Sequence, residues 1–169
     1  MNRIVQPDPA KVRARYRTMT LSLIEKRRTI TTMESCTGGL IASLITDTEG
    51  SSAVFRGAWV TYSNDAKTGA GVPADVIGKY GVYSSETAAA MAQTCRRNMD
   101  ADIGVGVTGS FANIDPANSD SIPGEVFFSI DTASGTECFR CSVPDLGSRL
   151  SYKLYIAGII ADAILDCLK

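Results

Sequence analysis

The sequence predicts an α/β fold in which helices flank a layered mixed sheet. Three observations carry this reading. Apolar residues recur at helical spacing in some segments and as short β-branched runs in others, and the two kinds alternate along the chain. Strand-like runs lead through glycine-bearing or polar turns into helical stripes, the pattern of a layered α/β domain. A late pair of strand-like runs is separated only by Ala133-Ser134-Gly135, so one hairpin must be antiparallel and the sheet mixed.

Val12, Tyr16, Met19 and Leu23 repeat at helical spacing, which predicts an opening amphipathic helix over about 9–27, led in by Pro7, Asp8 and Pro9. The cluster Lys26-Arg27-Arg28 ends that helix, where cations oppose the dipole. Arg28 to Met33, rich in threonine and isoleucine, reads as a buried strand leading into Ser35. Leu40, Ile41, Leu44 and Ile45 form a helical stripe that begins at a glycine pair, Glu49-Gly50-Ser51-Ser52 is a turn, and Val54 to Tyr62 is another strand. A short helix from Asn64, a turn at Gly71-Val72-Pro73 and a second short helix to Tyr80 follow. Ser84 or Ser85 caps the next helix, whose stripe includes Ala88, Met91, Ala92 and Cys95. Asp102 to Thr108 is a central strand ending at Thr108-Gly109, and Ser110 to Pro123 is a long polar loop. Gly124 to Asp131 and Thr136 to Val143 form the hairpin. Leu150, Leu154, Ala157, Ala161, Ile164 and Leu168 mark one long closing helix. The order reads α-β-α-β-α-α-β-β-β-α. All 169 residues are expected to form one domain, with a core over about 10–168 and a flexible segment at 1–8.

Composition narrows the function classes. Lysine and arginine number 17 against 18 acids, so the net charge of −1 gives no bulk attraction to nucleic acid, and direct nucleic-acid binding is not expected. No apolar run approaches the ~20 residues that span a bilayer, and Met1 to Pro7 lacks an apolar signal core, so a cytoplasmic protein without membrane contact is expected. The five cysteines are scattered and odd in number, which reads as reduced thiols. Cys138 and Cys141 have C-x-x-C spacing but lie in a predicted strand with no second pair, so no metal site is expected.

The chain has no histidine. Hydrolytic chemistry would need another base, and lysine beside serine is one solution. Two segments supply the parts: Glu34-Ser35-Cys36-Thr37-Gly38-Gly39 and Thr61-Tyr62-Ser63-Asn64-Asp65-Ala66-Lys67. Ser35, Thr37, Gly38 and Gly39 sit where a strand passes into a helix, at the strand end where open α/β sheets place ligands. An anion could settle on that helix start, or the two hydroxyls could simply cap it. Neither a dinucleotide fingerprint nor a Walker loop is present. Lys67 is either a solvated surface lysine or a base whose reference pKa of ~10.4 is lowered by burial or a neighbouring cation. Tyr62 is either core packing or a proton relay.

These segments carry a resemblance. Glu34-Ser35-Cys36-Thr37-Gly38-Gly39, Ile45-Thr46-Asp47, Gly50-Ser51-Ser52, the Thr61–Lys67 segment and Gly71-Val72-Pro73 together resemble the C-terminal domain of the competence/damage-inducible protein family CinA. Gly81-Val82-Tyr83-Ser84, Val107-Thr108-Gly109, Pro123-Gly124-Glu125-Val126 and Gly147-Ser148-Arg149 fall in matching order, so the resemblance covers about 10–168. It implies the family's α/β fold and a deamidase that hydrolyses the carboxamide of nicotinamide mononucleotide, a small-molecule nucleotide, without a cofactor or metal. It further implies a serine–lysine dyad with Ser35 or Ser52 as nucleophile and Lys67 as base. Tyr62, Thr108 and Arg149 complete the pocket, with Gly109 beside Thr108 and Arg149 pairing with the phosphate, unless Arg149 only caps or solvates the last helix. A homo-oligomer is implied as well. The longer relatives carry a second domain, whose activity is not expected of this chain.

The chain also departs from the pattern. After Thr108-Gly109 the family continues with Ala-Gly-Pro and further glycines, whereas this sequence runs Ser110-Phe111-Ala112-Asn113-Ile114-Asp115 with no glycine until Gly124. That replaces a permissive loop by a side-chain-bearing pocket wall and brings Asp115 and Asp120 near the expected phosphate. Glu125 stands where threonine is commoner and Lys153 where a second arginine is common. Two other readings therefore stand beside the amidase: a non-catalytic domain that binds a nucleotide or partner, and a protein-interaction domain connected with DNA uptake or damage.

Overall fold

The computed structural model describes residues 6–169. Of the segment expected to be flexible, residues 1–5 lie outside the described residues, while Asp8 is the N-cap of the first helix, its carboxylate accepting the Ala10 N–H at 2.9 Å. Helix α1 (Pro9–Lys26) ends at Arg27, whose left-handed φ of 52° lets its N–H return to the Leu23 and Ile24 carbonyls. Strand β1 (Ile30–Glu34), helix α2 (Leu40–Thr46), a 3-10 turn (Ser51–Ala53) and strand β2 (Phe55–Val60) follow. Next come α3 (Asn64–Gly69), α4 (Ala74–Tyr80), α5 (Ser85–Asn98) and β3 (Ile103–Gly109). The hairpin is β4 (Glu125–Thr132) and β5 (Gly135–Ser142), and α6 (Arg149–Cys167) closes the chain. Between β2 and β3 there are thus three helices, one more than the order written from sequence allows.

The five strands lie in the order β2-β1-β3-β4-β5. β1 runs parallel to both β2 and β3, and β4 and β5 are antiparallel, so the sheet is mixed as expected. Glu34 is level with Val60 on one side and Val107 on the other. The carboxyl ends of three parallel strands therefore open on one edge, and the segments that leave them meet there.

Strand β3 shows how the sequence builds two layers. Ile103, Val105 and Val107 are fully buried in the larger core with Tyr16, Met19 and Leu23 of α1 and Ile156, Ile160 and Ile164 of α6. Gly104 and Gly106 alternate with them and face α5; a Cβ on either would lie 2.2–2.3 Å from the carbonyl oxygens of Ala92 or Ala88. Bare backbone at those two positions is what lets α5 lie directly on the sheet. Met91 and Cys95 of α5 pack with Met33 and Val72 into a second, smaller cluster. Tyr16 is completely buried, worth roughly 1.5–3 kcal/mol for a large apolar side chain, and its hydroxyl donates to the Ala157 carbonyl at 3.0 Å, tying α1 to α6.

One expectation needs correction. Leu150 does not belong to the buried stripe of α6: it is 59% exposed, because Tyr152, two residues and about 200° further round the helix, fixes the inward direction there. Cys138 and Cys141 stand three residues apart on β5, so their side chains point to opposite faces of the sheet and cannot share a ligand. Among the described residues no helix is long and apolar enough to cross a membrane.

Candidate active site

Ser35 continues β1 by one residue, its N–H donating to the Val107 carbonyl at 3.0 Å. The chain then turns sharply through Gly38 (φ 60°) and Gly39 (φ 93°), left-handed conformations that glycine adopts without strain. What organises the turn is Glu34, a residue the sequence reading did not single out. Its fully buried carboxylate accepts from the Thr37 hydroxyl (2.6 Å), the Thr32 hydroxyl (3.2 Å) and the N–H groups of Gly39 (3.0 Å), Ile41 (3.1 Å) and Ala42 (2.9 Å). The start of α2, read from sequence either as a place for a ligand anion or as a helix start capped by the Ser35 and Thr37 hydroxyls, is filled by the protein's own carboxylate. Thr37 and Gly39 serve Glu34, and the Gly38 N–H returns to the Ser35 carbonyl at 3.0 Å. The N–H groups of Cys36 and Thr37 have no acceptor among the described residues. They stand beside Ser35 as free donors.

Strand β2 extends in the same way: the Thr61 N–H donates to the Glu34 carbonyl at 2.8 Å, placing Thr61 beside the Ser35 turn. Ser63 then caps α3, accepting the Ala66 N–H at 3.1 Å, and one turn later Lys67 reaches back under the strand ends. Lys67 is only 1% exposed, so the reading as a solvated surface lysine fails. Its Nζ lies 2.8 Å from the Thr61 carbonyl oxygen and 3.1 Å from Ser35 Oγ. Burial lowers the Lys67 amine from 10.5 to about 8, against smaller opposing pulls from Cys36 and Asp115. The Cys36 thiol is itself pushed up to about 12, chiefly by burial, so at neutral pH it offers the amine no counter-ion. About one Lys67 side chain in ten is then neutral at pH 7.

The other expected residues divide. Ser52 is exposed in the 3-10 turn ahead of β2, level with the start of β1, since Ile30 pairs with Phe55. A six-residue strand, roughly 20 Å, separates it from the end of the sheet that carries Lys67, so Ser52 is out of reach of that amine. Tyr62 is 63% exposed rather than packed in the core, and its hydroxyl accepts from Arg149 Nη2 at 3.1 Å. Arg149 is the first residue of α6, where Ser148 is the cap; its guanidinium lies 5.4 Å from the Phe111 ring centroid, and Phe111 stacks on Tyr152. Thr108 is buried and its hydroxyl is committed to the Val82 carbonyl at 2.9 Å, while Gly109 lines the cleft. Lys153, one turn beyond Arg149, brings its amine to the Gly38 backbone, where a Cβ would approach Nζ to 3.1 Å.

Ser35, Cys36, Tyr62, Tyr83, Gly109 and Arg149 open onto one cleft of about 490 Å³, the size of a small-molecule site. The loop 110–123 forms its remaining wall. Asp115 on that loop accepts from the Tyr83 hydroxyl (2.5 Å), the Asn118 amide (2.6 Å) and the Ala117 N–H (2.9 Å). The Asn118 bond above all, then those of Tyr83 and Ala117, holds this carboxyl below the usual carboxylate range. Asn118 in turn accepts from Asn64 of α3 at 2.9 Å, which pins the loop across the cleft. Asp120 lies outside the cleft lining and accepts the Tyr83 N–H at 3.2 Å. Neither Glu34 nor Tyr83 was found from sequence; for Glu34 the available signal was an acid closing a strand immediately before Thr37-Gly38-Gly39.

Residues 13–155 match the family model of the CinA C-terminal domain. A protein of Desulforudis audaxviator named as competence-damage inducible is 39% identical over 123 residues, 72% of this chain and 30% of its own length. One of the same name from Acetivibrio thermocellus is 43% identical over 116 residues, 68% of this chain and 28% of its own. The match thus spans under a third of the length of these relatives. Among solved structures, the competence/damage inducible protein CihA from Agrobacterium tumefaciens superposes with a TM-score of 0.85 at 28% identity, over 96% of this chain and 98% of that one. A CinA superfamily protein from Klebsiella pneumoniae gives 0.85 at 22% identity over 93% and 97%, a likeness of fold alone.

Proposed function

This chain belongs to the CinA C-terminal domain family, and on that premise we propose that it is an amidohydrolase that deamidates nicotinamide mononucleotide to nicotinate mononucleotide and ammonia. The observation that supports this most is the buried contact between Lys67 Nζ and Ser35 Oγ, 3.1 Å, beside the floor of the cleft. Ser35 is the nucleophile of this proposal, and Ser52 has no part in it.

The neutral Lys67 amine donates one hydrogen to the Thr61 carbonyl, which turns its lone pair toward the Ser35 hydroxyl. Ser35 Oγ attacks the carboxamide carbon as its proton passes to Lys67. The oxyanion is received by the unoccupied N–H groups of Cys36 and Thr37. When the tetrahedral intermediate collapses, the lysinium gives its proton to the leaving nitrogen and ammonia departs, leaving an ester on Ser35. A water then loses a proton to Lys67 and attacks the ester. Collapse of the second intermediate returns that proton to Ser35 Oγ, and the product leaves as a carboxylate with one proton released to solvent. Arg149 spends one N–H on Tyr62 and keeps the others for the substrate phosphate. Tyr62 is therefore a positioning residue for Arg149.

Ammonia release from nicotinamide mononucleotide tests this. The wild type is expected to turn over, Ser35→Ala and Lys67→Met to lose turnover by at least about a hundredfold, and Ser52→Ala to match the wild type. Turnover retained in both Ser35→Ala and Lys67→Met would reject the proposal. Ligand-dependent thermal stabilisation without any turnover would favour the non-catalytic binding domain instead. The proposal also treats the chain as one folding domain that associates into a homo-oligomer, which sedimentation equilibrium reads directly.

A further inference from the structure

The charge of the cleft is not balanced. Asp115 is held by three donors, and none of them is a cation. No ion pair among the described residues involves it. The three bonds fix the carboxylate in place and keep it ionised at neutral pH, and a fourth contact, from the Asp115 N–H to Ser121 Oγ at 2.9 Å, locks the backbone beneath it. It lines the cleft that contains Ser35 and is near enough to Lys67 to pull on that amine.

Among the described residues Lys67 is the one cation that acts on Asp115, and weakly: its amine is bonded to Thr61 and Ser35 outside the cleft lining, and its pull is the smallest of those on Asp115. Asp65 also lines the cleft, but it is exposed in the first turn of α3, where solvent screens it. Asp120 adds negative charge outside the lining, beside the backbone of Gly81 and Tyr83. The one arginine on the lining, Arg149 at the start of α6, is engaged by Tyr62 and Phe111 and makes no ion pair with Asp115 among the described residues. An occupant that matches this cleft carries an anion toward Arg149 and a cation toward Asp115, with its scissile amide at Ser35.

We propose that Asp115 makes the site selective for carboxamides carried on a permanently cationic, N-substituted ring, rejecting the same molecule when the ring is neutral. The inference rests on the amidase reading for the position of the amide but not for the charge preference itself. An N-substituted pyridinium has this charge; its dihydropyridine form, with the same ribose, phosphate and carboxamide, does not. The carboxylate left by hydrolysis adds a negative charge facing Asp115, which favours its departure.

The test is calorimetric binding to the Ser35→Ala protein, which holds ligand without turning it over. Nicotinamide mononucleotide is compared with its reduced 1,4-dihydro form, two ligands that differ in ring charge. The oxidised form is expected to bind about tenfold more tightly, and the added change Asp115→Asn to bring the two within about twofold. Asn118→Ala loosens the same loop while keeping the charge, so it should weaken both ligands alike and preserve the ratio. Equal binding of the two forms to Ser35→Ala, a preference that survives Asp115→Asn, or failure of both to bind would each overturn the proposal. A charge preference in Ser35→Ala, together with no ammonia release by the wild type, would refute the amidase reading while leaving this one standing.

Discussion

Replacing Lys67 by methionine exchanges a buried amine for an apolar chain of similar length, and its effect on stability should depend on pH in a defined way. The folded-state value is lowered from 10.5 to about 8, mainly by burial. At about 1.4 kcal/mol per pH unit, holding the ammonium inside the fold costs about 3 kcal/mol. The sign follows from proton counts. Between pH 8 and 10.5 the unfolded chain keeps a proton on this lysine that the folded chain has released, so wild-type stability rises with pH across that window. Below pH 8 both states are protonated and the full cost is present. Methionine removes it but forfeits the hydrogen bonds to Thr61 and Ser35, each worth about 1 kcal/mol, so at pH 7 the variant should be about 1 kcal/mol more stable. That advantage should fall by about 3 kcal/mol as the pH is raised to 10.5, the other titrating groups being common to both proteins. Urea unfolding of the two proteins at several pH values reads this difference, alongside an activity loss of at least about a hundredfold. A stability difference that stays flat from pH 7 to 10.5 would show that Lys67 is not buried against its charge, and the argument for a neutral base would go with it.

The same depressed value fixes the rate profile. The kcat/KM for deamidation should rise about tenfold per pH unit below about 8 and level off above it; a profile flat from pH 6 to 9 would contradict the role given to Lys67. Arg149→Ala should raise KM for the mononucleotide about tenfold or more while leaving the phosphate-free riboside nearly unaffected, as measured by steady-state kinetics on both. Glu34→Ala strands the N–H groups of Gly39, Ile41 and Ala42 inside the protein and should lower the unfolding free energy by about 3–5 kcal/mol in urea titrations.

The fold was legible because it is set by periodicity. Ile103, Val105 and Val107 alternate with Gly104, Gly106 and Thr108, and the structure puts the two sets on opposite layers. The entries of α1 at Pro7-Asp8-Pro9 and of α5 at Ser84 or Ser85 could be read because a cap is a local event, and the structure makes Asp8 and Ser84 the caps. The site was less legible because its geometry depends on register. Only the pairing of Glu34 with Val60, and of Ile30 with Phe55, decides that Ser35 meets Lys67 while Ser52 lies a strand length away. The role of Glu34 is hidden for a related reason: its partners are main-chain donors, which leave no trace in residue identity. Asp115 could be noticed as a charge, but not that neutral donors alone would hold it against the cleft.

The central claim, that Ser35 is acylated with Lys67 as its base, is tested most directly by acid-quenching the enzyme during turnover of nicotinamide mononucleotide and weighing its peptides. The account predicts an ester mass on the peptide containing Ser35 in the wild type and none in Lys67→Met. Continued ammonia release with that peptide unmodified, or with the adduct on another residue, would contradict it.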